Sequence, residues 1–156
     1  MRSMVLLGIL VLAGAPRAWS AGGPAIVLLG KGVQIYGCTR TEAGYAWKLT
    51  APEAVLTDAD GHRIGHHFAG PSWQAEDGST VTGEPLAISQ APQAGAIPWL
   101  VLRAKTHAGD GLFAGVSYIV RDATQGGVAP ATGCDPAHAD AEARVGYSAT
   151  YTFFPG

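Results

Sequence analysis

Ser72-Trp73-Gln74-Ala75-Glu76-Asp77-Gly78-Ser79-Thr80-Val81-Thr82 is the stretch that decides the fold class of this chain. Two short runs of alternating character flank Asp77-Gly78, a pair that readily takes the left-handed backbone a two-residue hairpin turn needs. The same grammar repeats outward. Upstream, Ala54-Val55-Leu56-Thr57 runs into the turn Asp58-Ala59-Asp60-Gly61 and returns as His62-Arg63-Ile64-Gly65-His66-His67-Phe68. Gly32 to Cys38 and Ala46 to Thr50 alternate with period two, the mark of a strand with one buried face. Downstream, Ile97 to Lys105 and Leu112 to Arg121 are the longest strand candidates, parted by Gly109-Asp110-Gly111. Val145 to Phe154 carries Tyr147, Tyr151 and Phe153 on alternate positions, and only Pro136 to Arg144 looks locally helical. Strands this short, evenly spaced and divided by Gly-rich turns predict an all-β sandwich or barrel of about eight to ten antiparallel strands.

Composition agrees. The 156 residues leave room for one domain. Apolar residues make up 47% and charged residues only 14%, against about 25% charged in an average soluble domain. A disordered charged tail needs the opposite balance. A formal net charge of −2 gives no electrostatic footprint for nucleic acid. With 22 Gly, 10 Pro and no Asn, turns are built from Gly, Asp and Pro, and N-glycosylation is excluded.

The N-terminus reads as an address. Arg2 precedes the apolar run Met4 to Ala13, which has signal-peptide length and about half the length of a bilayer span. Small residues at Ala18 and Ser20 place the expected cleavage after Ser20. Residues 1–20 are therefore expected to be a signal peptide and residues 21–156 one all-β domain, secreted or periplasmic. No second apolar run of about 18 residues follows, so no membrane span is expected after cleavage. Cys38 and Cys134 lie 96 positions apart with no C-x-x-C. In an oxidising compartment such a pair most simply forms one disulfide, two free thiols being the alternative.

Chemistry concentrates in Asp58 to Ser79, which holds three of the five His and four acids. Asp58-x-Asp60 opens like a calcium loop, but Ala69 stands where that loop needs Glu. His62 and His66 on a strand are about 13 Å apart and cannot share an ion, and His66 and His67 point to opposite faces. The only zinc site left would draw on distant His107 or His138; no metal or cofactor is expected. There is no G-x-S-x-G elbow and no phosphate-cradling loop. Glu76, Asp77 and Glu84 have the residue types of a glycosidase pair, although Asp77 is also the ordinary residue before a hairpin Gly. Trp47, Trp73 and Trp99 are candidates for stacking on sugars; Trp99 reads as core, and Trp73, beside Gly70-Pro71, as partly exposed.

A wider set of residues carries a resemblance. Gly32-Val33-Gln34-Ile35-Tyr36 with Cys38 comes first, then Pro52-Glu53-Ala54 and Leu56. Gly65-x-His67-Phe68-x-Gly70-Pro71-Ser72-Trp73 and Asp77-Gly78-Ser79 follow, then Ile97-Pro98-Trp99-Leu100, Arg121, Thr124, Gly126-Gly127, Ala129-Pro130 and Cys134. Val145-x-Tyr147-Ser148-Ala149-x-Tyr151-x-Phe153 completes the series. In this order they resemble the secreted family catalogued as domain of unknown function 3455. The resemblance implies an exported all-β domain with the Cys pair bridged, and it implies no activity. Asp122-Ala123 departs from it, where relatives tend to carry an apolar residue and Asn.

His67, Trp73, Asp77, Ser79, Arg121 and Thr124 are the positions in this set that packing and turns do not explain, and they form the candidate ligand-binding site. One bland alternative is that Arg121 binds Asp77 and ties two hairpins together. The leading expectation is non-catalytic binding of a carbohydrate or envelope component. Trp73 and Phe68 then stack, His67 and Asp77 hydrogen-bond, and Trp73→Ala spares the melting temperature. A small hydrolase with His67 as base and Asp77 as orienter or acid is the alternative from another class, and a purely structural envelope protein is the third.

Overall fold

A computed structural model describes residues 23–156, so the expected signal peptide and its cleavage point lie outside the described residues. Eight strands follow one another: β1 (Ile26–Thr41), β2 (Gly44–Thr57), β3 (Arg63–Phe68), β4 (Ser72–Ala75), β5 (Thr80–Ser89), β6 (Trp99–Ala108), β7 (Val116–Gly126) and β8 (Glu142–Pro155). Each pairs antiparallel with its sequence neighbour, and β8 returns to pair with β1, closing a barrel. Of the two architectures expected, the barrel is the one formed. Closure leaves no unpaired edge strand.

Alternation sets the inside. Leu28, Leu56, Trp73, Val81, Leu102, Ile119, Tyr151 and Phe153 are buried in one core, one face of each strand supplying it. An eight-stranded barrel is just wide enough for side chains to fill, and here the fit is close. A Cβ on Gly30 would stand 2.5 Å from a ring carbon of Tyr151, so β1 passes the core aromatics only as glycine.

Several boundaries differ from the sequence reading. β1 and β2 are 16 and 14 residues long, because a register shift at Ile35/Tyr36 absorbs what looks like a break in alternation. β7 begins at Val116; Leu112 and Phe113 belong to the loop before it, and Phe113 turns inward to full burial. The helix expected over Pro136 to Arg144 shrinks to a 3-10 turn at Pro136–His138, capped by the Asp135 carboxylate, because Glu142 already pairs with Gly37 as part of β8.

The expected disulfide joins Cys38 to Cys134. It lies at the barrel end from which the β1–β2 hairpin projects, and it fastens the β7–β8 connection against that hairpin. Cys38 N–H donates to Ala141 O (2.8 Å), and Asp140 N–H donates to Cys38 O (3.0 Å).

Candidate functional site

The structure distributes the six candidate residues over three levels of the barrel. His67 on β3 and Trp73 on β4 sit opposite each other, and both point inward. Their rings stack 4.6 Å apart at 8°, with Tyr151 edge-on to Trp73. Trp73 is 1% exposed, which corrects the expectation of a partly exposed stacking platform. It faces the core because β4 pairs in register with β3 and β5, whose inward positions are His67 and Val81.

Burial drives the His67 pKa down to about 4; the Ser72 carbonyl, 2.8 Å from Nδ1, opposes the shift, and the Arg121 charge adds to it. A neutral imidazole is what this environment keeps. The unfolded chain protonates near pH 6.5 and the folded one near 4, so stability is full above pH 6.5 and falls on acidification. By about pH 4 the loss reaches roughly 3 kcal/mol. Urea melts between pH 7 and 4.5 are expected to show this slope in the native protein and to lose it in His67→Gln. An unchanged slope in that variant would assign the acid sensitivity to another group.

Asp77 and Ser79 lie at the end of the barrel opposite the disulfide, and each serves the other. Asp77 accepts from Ser79 N–H (2.8 Å), Ser79 Oγ–H (2.6 Å) and Leu112 N–H (2.8 Å). The Ser79 hydroxyl, first, and the two amides hold its carboxyl below the usual range. Ser79 Oγ in turn accepts from Phe113 N–H. The network fastens the β6–β7 loop to the β4–β5 turn and seats Phe113 in that end of the core.

Arg121 and Thr124 occupy the other end. The Arg121 guanidinium donates from Nε and Nη2 to Pro98 O (3.1 and 2.7 Å), and Thr124 Oγ donates to Ile97 O (2.7 Å). They bind the β5–β6 connection across the barrel mouth, where Tyr36 OH also donates to Gly127 O (2.6 Å). Arg121 therefore does not pair with Asp77. His67 and Asp77 likewise bind different partners at different levels, and Glu76 and Glu84 are held by Arg63 and Arg103. The geometry assembles no acid–base pair from these residues.

Asp58, Asp60 and His62 come together in the β2–β3 turn, their ligand atoms within 4.8 Å. Asp58 Oδ1 accepts from the Asp60 and His62 amides (3.0 and 2.9 Å), so the cluster is the hydrogen bonding of the turn itself.

The concave surface with aromatic walls lies elsewhere. Between the projecting β1–β2 hairpin and residues 134–136 runs a cleft of about 560 Å3, bordered by Arg40, Glu42, Tyr45 and Asp135. It shares Tyr45 and Cys134 with a neighbouring hollow of about 290 Å3 that Trp47 lines. Tyr45 and Trp47 are both half-buried, two residues apart on one face of β2. Trp47 Nε1–H donates to Thr132 O (2.9 Å), which fixes the indole against the opposite wall. Trp47 was legible as a possible sugar platform; Tyr45 had no signal, because its role comes from a chain segment some 90 residues away that the disulfide brings over it.

No helix among the described residues is long and apolar enough to cross a membrane. Comparison with curated proteins and with solved structures yields no match. The residue series from Gly32 to Phe153, spread through the strands, turns and disulfide of one barrel, coincides with a family match over residues 20–155, and the chain belongs to that family, described as protein of unknown function (DUF3455).

Proposed function

We propose that this barrel is an exported, non-catalytic binding domain for carbohydrate of the cell envelope or its surroundings, and that the cleft lined by Tyr45, with the adjoining hollow lined by Tyr45 and Trp47, takes the sugar. The observation that carries this reading is the pair of half-buried aromatics on one face of β2, held rigidly by the Cys38–Cys134 bridge and the Trp47–Thr132 hydrogen bond. Sugar rings present apolar C–H faces that pack on aromatic rings, while their hydroxyls need polar neighbours. Arg40, Glu42 and Asp135 stand at the rim to supply them. A site fixed before binding loses little entropy when the ligand arrives. The export signal read in residues 1–20 and the disulfide support an oxidising location.

Hydrolysis finds less support, because His67 is buried and bonded to backbone while Asp77 organises a turn. Retention on insoluble polysaccharides and peptidoglycan, followed by titration with soluble fragments of whichever is retained, tests the reading. Tyr45→Ala is expected to weaken retention by about tenfold or more with an unchanged unfolding midpoint. A native protein retained by none of these polymers, or a Tyr45→Ala variant retained as well as native, overturns it.

A further inference from the structure

A second concave surface lies on the outer wall of the barrel, on the opposite face of the β1–β2 ribbon from Tyr45 and Trp47. Lys31, Val55 and His66 stand in one register row across β1, β2 and β3. With Glu53, Arg63 and Phe68 they line an open groove of about 410 Å3. His66 stacks on Phe68, ring centroids 5.1 Å apart, so a partly apolar pair of stacked rings lines the groove. One-residue alternation makes this pair the outward counterpart of the buried His67.

The charges around it are unequally satisfied. Glu53 shares Arg144 with Glu142, and Arg63 pairs with Glu76. Among the described residues, no carboxylate lies within ion-pair distance of Lys31. The groove therefore holds one unpaired ammonium, on Lys31, beside the stacked rings. Arg63 is already paired and Glu53 is held by Arg144, so the Lys31 ammonium is the groove's cation left to meet an incoming anion.

We propose that this groove binds a carboxylate attached to a flat or cyclic body, with the carboxylate on Lys31 and the ring on the His66–Phe68 stack. Uronic acid residues and aromatic acids both offer this chemistry. The inference is independent of the Tyr45–Trp47 cleft and uses none of its residues.

The test is titration of the oxidised protein with galacturonate oligomers, with benzoate, and with the matching neutral galactose oligomers, monitored by nitrogen–proton NMR shifts on β1 to β3. Either carboxylate ligand is expected to move the Lys31, Val55 and His66 amides, with the source decided by which binds more tightly. Lys31→Met is expected to weaken binding by at least about tenfold and to abolish its dependence on salt. Phe68→Ala is expected to weaken both classes of ligand. Equal binding of neutral and acidic oligomers, an unaffected Lys31→Met variant, or shifts confined to Tyr45 and Trp47 would each overturn the proposal. The last result would leave the glycan reading of the cleft intact, whereas a silent cleft with shifts on β1 to β3 would keep this proposal and leave the cleft to the polysaccharide retention test.

Discussion

Trp73→Ala is expected to destabilise the barrel by about 3–5 kcal/mol and to lower its melting temperature by roughly 10 °C or more. Trp73 is the largest fully buried side chain among the described residues. It touches the His67 ring on one side, while Tyr151 and Phe153 meet it edge-on. Removing the indole opens a void at the centre of a closed wall. Backbone hydrogen bonds to both neighbours keep β4 from moving inward to fill it, so the cavity term stays near its full size. The indole Nε1 has no hydrogen-bond partner among the described residues, so truncation loses packing and no polar contact. Thermal and urea unfolding measure the effect; an unchanged midpoint would mean that Trp73 is not in the core.

Replacing both Cys38 and Cys134 with alanine is expected to cost about 2–5 kcal/mol, the chain-entropy model placing a loop of this length near the top of that range. The start of the connection from β7 to β8 is held at Gly127 by the Tyr36 hydroxyl and a bridge to Ala96. Two backbone hydrogen bonds at Cys38 and the Trp47–Thr132 bond fasten it to the hairpin. Denaturant titration of the native protein with and without reductant is the direct measurement, and the double variant should be indifferent to reductant. If reduction left the native midpoint unmoved, the bridge would contribute nothing to stability.

Much of the fold was legible because period-two alternation and Asp-Gly turns are local signals. Asp77-Gly78 marked its hairpin correctly, and Tyr147, Tyr151 and Phe153 stood on one inward face as their spacing said. What alternation does not reveal is which face is inward when both are apolar. Leu28 is buried while Val27 and Leu29 beside it are 57% and 48% exposed, and a barrel wall tolerates both. The same ambiguity at His66, His67 and Phe68 sent the site reading to the buried member. Phe113 was read as strand because it is apolar. It is an end plug, ordered by Asp77 and Ser79 about 35 residues earlier, and no window of local sequence contains that hydrogen bond. The polar residues that seemed free for chemistry were spent on such long-range fastenings: Arg121 on Pro98, Thr124 on Ile97, Ser79 on Phe113.

The pairing of β1 with β8 has a practical consequence. Ile26 lies opposite Phe153, so the chain enters and leaves the barrel side by side, at the end away from the β1–β2 hairpin. A tether or fused neighbour joined at either terminus therefore lifts the disulfide end outward, toward whatever surrounds the protein, and immobilising the domain by a terminal tag leaves the Tyr45–Trp47 cleft unobstructed.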